Sequence, residues 1–458
     1  MQISGVLKEA GHHVYYCGTS IKRILHFIKK NSIDVVAYSV MTGDEREYLC
    51  LNRQIKRHFP YIFSVFGASH PTFSPNMVEE EGVDAICRGE GNLAFPELIE
   101  KLSKNADIRF LKNFWIKSDK KIYKNELRQL IENISVLPFP DYSGYFQFVP
   151  RLGENKKKIF ISSLGCPFEC TYCSSSSFNQ MYKNKGPAYR NKTVDYLLEE
   201  IFYVKSRYPL NWVNFVDDVF GLSRDWLSEF SEKYSRKIGL PFSCIVRLEL
   251  IEENYLKHLV ECGCQSILVG IETGNESVRV NILNRKMTDK LIIDKIALIK
   301  KWRLKVLTFN IMGIPPGSIE DEWKTVHFNQ KLRPSYAYAS IFQPLPGTKL
   351  TGLVIKKEIA KMQSPLQLRN FHLKSCIELK DKKKIENLHK FFSLLVIYPF
   401  LEPIVRRLLI FPLTPLYEMV RRFYGAVGFL HIYPFKKIKY SIKDIIFVVK
   451  DLLKKRSI

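Results

Sequence analysis

The sequence has few cysteines, and it lacks the apolar segments that direct a chain into or across a membrane. Ten cysteines at irregular spacings in 458 residues argue against a disulfide scaffold and favour a reducing cytosol. The start shows no basic stretch followed by an apolar one, so a secretory signal is not predicted. No run of about 20 apolar residues is free of charge and proline, which argues against a membrane span.

Acidic side chains are scarce beside basic ones: 46 carboxylates stand against 70 lysines and arginines, a formal net charge of +24. This excess suits an anionic partner such as nucleic acid, anionic lipid or a phosphorylated substrate. It also follows from a composition rich in lysine throughout, and both explanations stay open. The length predicts two or three domains, and 46% hydrophobic residues can fill their cores.

Three of the cysteines stand close together after a strand-like run at 158–162. Cys166, Cys170 and Cys173 form a C-x3-C-x2-C pattern. A loop this short can present three thiolates to a small iron–sulfur cluster, and a cluster of four irons then keeps one iron open. A zinc site would need a fourth ligand, and no second cysteine or histidine pair lies nearby.

This pattern resembles the signature of the radical S-adenosylmethionine (radical SAM) enzymes, and Tyr172 fits it as well. The resemblance implies a [4Fe–4S] cluster on Cys166, Cys170 and Cys173, whose open iron binds S-adenosylmethionine (SAM). In that family the reduced cluster cleaves SAM, and the resulting radical removes hydrogen from an unactivated C–H bond. The resemblance also implies an external electron donor of the reduced flavodoxin or ferredoxin type.

Strand and helix patterns alternate from 158 to 350, which predicts a TIM-like barrel, complete or partial. Polar residues cluster at the strand ends and resemble radical SAM motifs one by one. The resemblance assigns SAM contacts to Tyr172, Asp217, Asp218, Arg247, Gly270, Glu272, Gly313 and Pro315. Structural explanations stay open: the aspartates can cap a turn, Glu272 can form a barrel salt bridge, and Arg247 can pair with Glu249.

Residues 1–105 alternate helices with strands predicted at 13–17, 34–40, 61–67 and 84–87, which indicates a parallel, doubly wound sheet. The loops after these strands resemble the cobalamin-binding domain of one large radical SAM subgroup, although that subgroup usually has two glycines where this chain has Gly67-Ala68. The resemblance assigns cobalamin contacts to Ser39, Gly67, Ser69, Gly89, Glu90 and Gly91. It assigns no cobalt ligand to His70.

The subgroup's domain begins with a strand, whereas Met1 falls at the start of the first helix here. We therefore expect a flavodoxin-like (Rossmann-like) domain that lacks its first strand, either because the true start lies upstream or because the domain is degraded. A gap at that central position would leave neighbouring strands unpaired. Cobalamin binding is expected on condition that the domain tolerates this gap.

The remaining segments carry no chemistry of their own. Residues 106–157 mix short strands with charged turns and prolines, and they are predicted to form a linker. Residues 351–458 predict a basic, amphipathic helical region, with one helix at 441–455. Such a region can cap the barrel or lie on an anionic membrane surface, which would make a cytoplasmic protein peripheral at the inner membrane face.

The sequence thus indicates an α/β radical SAM enzyme with cobalamin that methylates an unactivated carbon of a small-molecule or lipid-like substrate. A cyclase or rearrangement enzyme with the same cofactors is the alternative. Radical SAM enzymes that modify RNA carry an extra cysteine set upstream and a small β-barrel downstream. Cys17, Cys50 and Cys87 are too sparse for such a set and the tail is predicted helical, so nucleic acid is disfavoured as a partner. No catalytic residue beyond the cofactor ligands is assigned.

Overall fold

The structure is a computed structural model, and it describes residues 1–356 and 374–433. Two sheets with their helices form the described part, and a layer of C-terminal helices covers the end of the second sheet. The largest core cluster lies between the second sheet and its helices, while two smaller clusters fill the two faces of the first sheet. The fold is α/β, as the sequence predicts.

The first sheet has five strands in sequential order, parallel from the first to the third and antiparallel from there on. The strands are β1 (Val35–Ser39), β2 (Phe63–Gly67), β3 (Ala85–Cys87), β4 (Phe114–Ser118) and β5 (Lys121–Lys124). The helices of this part are α1 (Gln2–Glu9), α2 (Ile21–Asn31), α3 (Glu45–His58), α4 (Ser69–Phe73) and α5 (Ala94–Ser103), with a 3-10 turn at Pro75–Glu79.

Two expectations for this sheet are wrong in detail. The strand predicted at 13–17 does not form, because residues 12–18 pair with no strand. The sheet also continues past the boundary expected at residue 105, since β4 pairs with β3 and β5 pairs with β4.

The second sheet has six parallel strands in the order β13-β12-β11-β10-β9-β6, which makes a partial barrel. Its strands are β6 (Lys157–Phe160), β9 (Trp212–Phe215), β10 (Phe242–Val246), β11 (Cys264–Glu272), β12 (Lys305–Met312) and β13 (Tyr336–Ile341). The short strands β7 (Ser163–Leu164) and β8 (Arg190–Asn191) pair with each other in antiparallel fashion beside it.

Helices connect these strands and cover the outside of the partial barrel. They are α8 (Ser174–Met181), α9 (Val194–Arg207), α10 (Arg224–Lys237), α11 (Glu253–Glu261), α12 (Asp289–Lys301) and α13 (Ile319–Leu332), with α6 (Tyr142–Phe148) and α7 (Pro150–Glu154) before the barrel and α14 (Lys349–Lys356) after it. Several begin at a threonine or serine whose hydroxyl accepts a backbone N–H, as Thr193 does for α9.

The C-terminal region is helical, with α15 (Lys382–Ile397), α16 (Glu402–Leu408) and α17 (Thr414–Ile432). α15 packs on β13, where His389 Nε2 lies 2.9 Å from the Ala339 carbonyl oxygen. The end of α17 reaches into the partial barrel, where Ser266 Oγ donates to the Ile432 carbonyl over 2.9 Å. The helix predicted at 441–455 lies outside the described residues. Within the described ranges, no helix combines the length and apolarity needed to cross a membrane.

The segment between the two sheets is held by a buried charge pair. Tyr142 donates to Glu200 Oε1 over 2.7 Å, and Lys192 Nζ lies 2.5 Å from Glu200 Oε2. Glu200 is only 1% exposed. Removing one partner of such a pair leaves the other charge buried and uncompensated.

A second buried carboxylate supports the turn after β12. Glu322 on α13 accepts the backbone N–H of Gly313 over 2.7 Å. Burial, together with the neighbouring charge of Asp321, raises the pKa of Glu322 to about 8 although the Gly313 N–H opposes the rise. Glu322 is therefore mostly protonated at neutral pH and serves as a neutral hydrogen-bonding group.

We predict that Glu200→Gln lowers the free energy of unfolding by about 3–5 kcal/mol, because Lys192 keeps its charge in a buried site. Glu199→Gln is the matched control, since Glu199 is the exposed neighbour on the same helix. The control should stay within about 0.5 kcal/mol of the parent. Urea unfolding followed by circular dichroism checks both, and equal effects of the two substitutions would contradict the buried pair.

We predict that Glu322→Gln gains stability over the parent as the pH rises. The pKa of Glu322 in the folded protein, about 8, lies above the ordinary 4.5. The free energy of unfolding of the parent, relative to that of the variant, is therefore highest below pH 4.5 and falls as the pH rises to about 8. Glutamine cannot ionise and keeps the acceptor for Gly313. Urea midpoints measured between about pH 5 and about pH 8 check this, with the exposed Glu320→Gln on the same helix as control. A difference that does not change with pH would refute the assignment.

Candidate active site at the facing ends of the two sheets

The loop that carries the cysteines begins at a single carboxylate oxygen. Asp217 Oδ1 accepts the backbone N–H and the hydroxyl of both Ser162 and Ser163, over distances of 2.6–2.9 Å. Burial raises the pKa of Asp217 to about 6, although the four donors oppose that rise. Asp217 thus fixes the chain where β6 ends and the loop starts.

The three cysteines lie on this loop with their thiols largely withdrawn from water. Cys166 is 8% exposed and Cys170 is 5% exposed, while Cys173 is intermediate. Burial raises the pKa of the Cys166 thiol to about 11 and also raises that of Cys173. Thiolates at these positions therefore require cations, which iron supplies.

One cation of the chain already touches a cysteine. Arg247 Nη1 lies 3.3 Å from Cys170 Sγ, and its guanidinium stacks on the Phe168 ring at 3.7 Å. Arg247 also forms an ion pair with Glu249, as the structural explanation allowed. Its side chain is 7% exposed, so this positive charge acts on Cys170 through little solvent.

The thiol arrangement suits a cluster better than a single ion. Among the described residues, no three cysteine, histidine or acidic side chains converge on one point where they could hold a metal ion. Each cysteine of a cluster binds a different iron, and three thiols on one short loop supply three such ligands. The donor set of Cys166, Cys170 and Cys173 therefore has the chemistry of the [4Fe–4S] cluster expected from the sequence.

Glu272 and Tyr172 meet at a third residue that sequence reasoning missed, Arg285. Its Nη1 lies 3.2 Å from Glu272 Oε1 and 3.3 Å from the Tyr172 hydroxyl, and its Nη2 donates to the Gly270 carbonyl over 2.8 Å. A Cβ at Gly270 would stand 2.2 Å from Glu272 Oε1, so a larger residue there would displace this carboxylate from Arg285. Glu272 has φ +69, a strained conformation held by these contacts.

The residues around Arg285 also clamp the cysteine loop. Thr171 donates its hydroxyl to the Ile282 carbonyl over 2.6 Å and its N–H to the Leu283 carbonyl over 3.1 Å. Asn284 Nδ2 donates to the Glu169 carbonyl over 2.8 Å. No sequence motif marks this segment, since the contacts span more than 100 residues of chain.

The other barrel residues singled out from the sequence also lie at strand ends. Asp218 accepts from the Ser175 hydroxyl over 2.7 Å, on the helix that follows Cys173. Gly313 and Pro315 lie in the buried turn after β12. The structure therefore gathers the expected SAM residues at one end of the barrel and gives Asp217, Asp218 and Glu272 protein partners there.

The residues expected to contact cobalamin form two groups in the structure. The first group lies at strand ends with free space beside the backbone. Ser39 and Gly67 are paired at the carboxyl ends of β1 and β2, and Ser69 follows as the first residue of α4. A Cβ at Gly67 would meet only Cys87, at 3.8 Å, so a flat ligand can approach the backbone. Ala68 has φ +76, the conformation that the second glycine of the subgroup would adopt freely.

The second group, Gly89 to Gly91, faces protein. A Cβ at Gly89 would stand 1.9 Å from the Tyr182 hydroxyl, and a Cβ at Gly91 would stand 2.9 Å from Ile3 Cδ1. Glu90 forms a two-pronged ion pair with Arg190 of β8, whose side chain is 3% exposed. Gly89 and Glu90 thus join the first sheet to the segment beside the barrel, whereas Gly91 packs against α1 of its own domain.

Because of this junction, the carboxyl end of the first sheet faces the carboxyl end of the barrel. Tyr182 directly follows α8, the helix that begins after Cys173. On another side, Phe73 Cδ1 would lie 2.8 Å from a Cβ at Gly347, in the loop that follows β13. The cysteine loop and the open loops at Ser39, Gly67 and Ser69 therefore border the same region.

Comparison with known proteins agrees with this arrangement. The model of the radical SAM superfamily matches residues 160–328, and that of the B12 binding domain matches residues 1–99. An uncharacterized methyltransferase of Pyrococcus horikoshii is 28% identical over 339 residues, which cover 73% of this chain and 72% of the relative. The bacteriochlorophyllide d C-8(2)-methyltransferase of Chlorobaculum tepidum is 22% identical, over 70% of this chain and 72% of that protein.

A solved structure with both cofactors has the same fold. The cobalamin-dependent S-adenosylmethionine radical enzyme OxsB, with aqua-cobalamin and SAM bound, superposes with a TM-score of 0.65 at 15% identity. The match covers 95% of this chain and 72% of OxsB. Together with the cysteine loop and the two facing sheets, these matches show that the chain combines a B12 binding domain with a radical SAM domain, whose cofactors are a [4Fe–4S] cluster, SAM and cobalamin.

Proposed function

We propose that this chain transfers a methyl group to an unactivated carbon of a small, lipid-like molecule that binds between the two facing sheets. The observation that carries the proposal is the junction at Gly89 and Tyr182, because it sets the open cobalamin-side loops opposite the cysteine loop. The name of the Chlorobaculum relative gives a carbon as the methyl acceptor of that protein, which supports the same type of acceptor here.

The bound cofactors supply a radical that removes hydrogen from the substrate and a methyl group carried on cobalt. The chain supplies position and shielding. Asp217 holds the start of the cysteine loop, and the segment from Ile282 to Arg285 holds its middle. Buried side chains on both sides of the loop exclude water from this region.

Arg247 sets the charge beside the cysteines. Its guanidinium, 3.3 Å from Cys170 Sγ, would favour electron-rich sulfur in a cluster held there, although the ion pair with Glu249 offsets part of its charge. The enzyme needs an external reductant, and we propose a flavodoxin or ferredoxin in that role. We also propose that its substrate is apolar and that nucleic acid is not its substrate, since the described C-terminal region is helical, whereas the resemblance implies a small β-barrel there for RNA-modifying enzymes.

We predict that Cys166→Ala, Cys170→Ala and Cys173→Ala each abolish the iron–sulfur chromophore after anaerobic reconstitution, because each thiolate holds its own iron. Cys50→Ala is the control, since Cys50 is exposed and remote in sequence from the loop. Optical spectra and iron content check this, and cobalamin binding is measured on the same samples. A chromophore that survives all three substitutions would overturn the cluster assignment.

We predict that the product carries one added methyl group and that the group comes from SAM. With SAM labelled by deuterium on its methyl, the product mass should rise with the label, as mass spectrometry measures. A product without an added carbon would instead indicate a cyclase or a rearrangement enzyme.

We predict that Gly89→Leu suppresses methyl transfer while the cluster still forms, because the leucine side chain would displace Tyr182 and shift the two sheets.

A further inference from the structure

The outer surface of the C-terminal helices exposes an unusual amount of apolar side chain. Ten of the 24 exposed large hydrophobic residues in the described chain lie between residues 397 and 423. Six of these are more than half exposed and are here named the outer apolar face: Phe400, Ile404, Ile410, Leu416, Met419 and Phe423. Contiguous apolar surface of this kind marks an interaction site in most proteins.

The aromatic part of the face is continuous across two elements. The Tyr398 ring lies 6.0 Å from that of Phe400 and 6.2 Å from that of Tyr424. Tyr424 in turn lies 5.3 Å from Phe423 on α17. The end of α15 and the middle of α17 therefore present one aromatic surface.

α17 carries apolar side chains on both its inner and its outer side. On the inner side Tyr417 is buried, with its ring 4.7 Å from Phe391 of α15. On the outer side Leu416, Met419 and Phe423 recur at the helical period and face solvent. Exposed apolar side chains on the outer side of a helix whose inner side is already packed normally have a second surface to cover them.

The charged residues beside the outer apolar face indicate what kind of surface covers it. The two carboxylates between residues 397 and 423 are already engaged: Glu402 with Arg406 and Glu418 with Arg421 and Arg422. Arg407 is exposed beside them, so the face carries a positive surplus. An anionic lipid surface complements both the apolar side chains and this charge.

The other candidates for covering the face carry the same sign of charge. A second copy of this chain would bring one basic surface against another, in a protein of net charge +24. Residues 434–458 hold eight lysines and arginines against two aspartates, so they too would be repelled. Neither complements the face as an anionic bilayer does.

We infer that the outer apolar face docks the enzyme on an anionic membrane surface. Its aromatic and aliphatic side chains enter the headgroup region, and the arginines contact lipid phosphates. The helices lie on the bilayer without crossing it. Docking is measured without turnover, so it succeeds or fails independently of methyl transfer.

The test is sedimentation of the full chain with vesicles of phosphatidylcholine, with and without an equal amount of phosphatidylglycerol. Binding should require phosphatidylglycerol and weaken with added salt. Phe400→Ser together with Phe423→Ser should weaken binding at least about tenfold, because each exposed ring loses its burial in lipid. Arg407→Glu should weaken binding and reduce its salt dependence.

The matched control is Phe110→Ser, since Phe110 is 70% exposed, close to the 73% of Phe400, but lies outside the C-terminal helices. It should bind vesicles as the parent does. Failure of the parent to bind, or equal binding of the double serine variant, would overturn the inference. So would a dimer that the double variant abolishes, or vesicle binding that appears only after residues 434–458 are removed.

Discussion

The buried carboxylate of Asp217 is the interaction on which the site depends. Two adjacent serines donate four hydrogen bonds to one of its oxygens, and this fixes the chain a few residues before Cys166. Burial disfavours the charged form of this carboxylate, and it therefore raises the pKa of Asp217 to about 6. The cysteines can then occupy a short loop without further regular structure, because the start of that loop is already determined.

The rest of the loop is held by residues distant in sequence. Thr171 and Glu169 contact the segment at 282–284, and Cys170 contacts Arg247. Arg285 links this clamp to Glu272 and Tyr172. The glycine motif at the end of β11 thus acts through packing, since Gly270 leaves the space that the Glu272 carboxylate fills.

Side-chain contacts between residues distant in sequence also join the two sheets. Gly89 lies against the Tyr182 hydroxyl and Glu90 pairs with Arg190, so residues expected to contact cobalamin also connect the first sheet to the segment beside the barrel. Ser39, Gly67 and Ser69 remain at the open strand ends. At the opposite end of the chain, α15 covers the edge strand β13 and the end of α17 reaches into the barrel, while the outer side of these helices stays apolar and exposed.

The sequence by itself determined the cysteine triad, the alternation of strands and helices, and most element positions, because these depend on local spacing and periodicity. It could not show that residues 13–17 lack a strand partner or that β4 extends the first sheet, since pairing depends on distant neighbours. Only the tertiary structure decided which polar residues form hydrogen bonds and ion pairs with other parts of the chain. Arg285, Tyr182 and Arg190 gain their roles from contacts about 90 or more residues away, which no local pattern encodes.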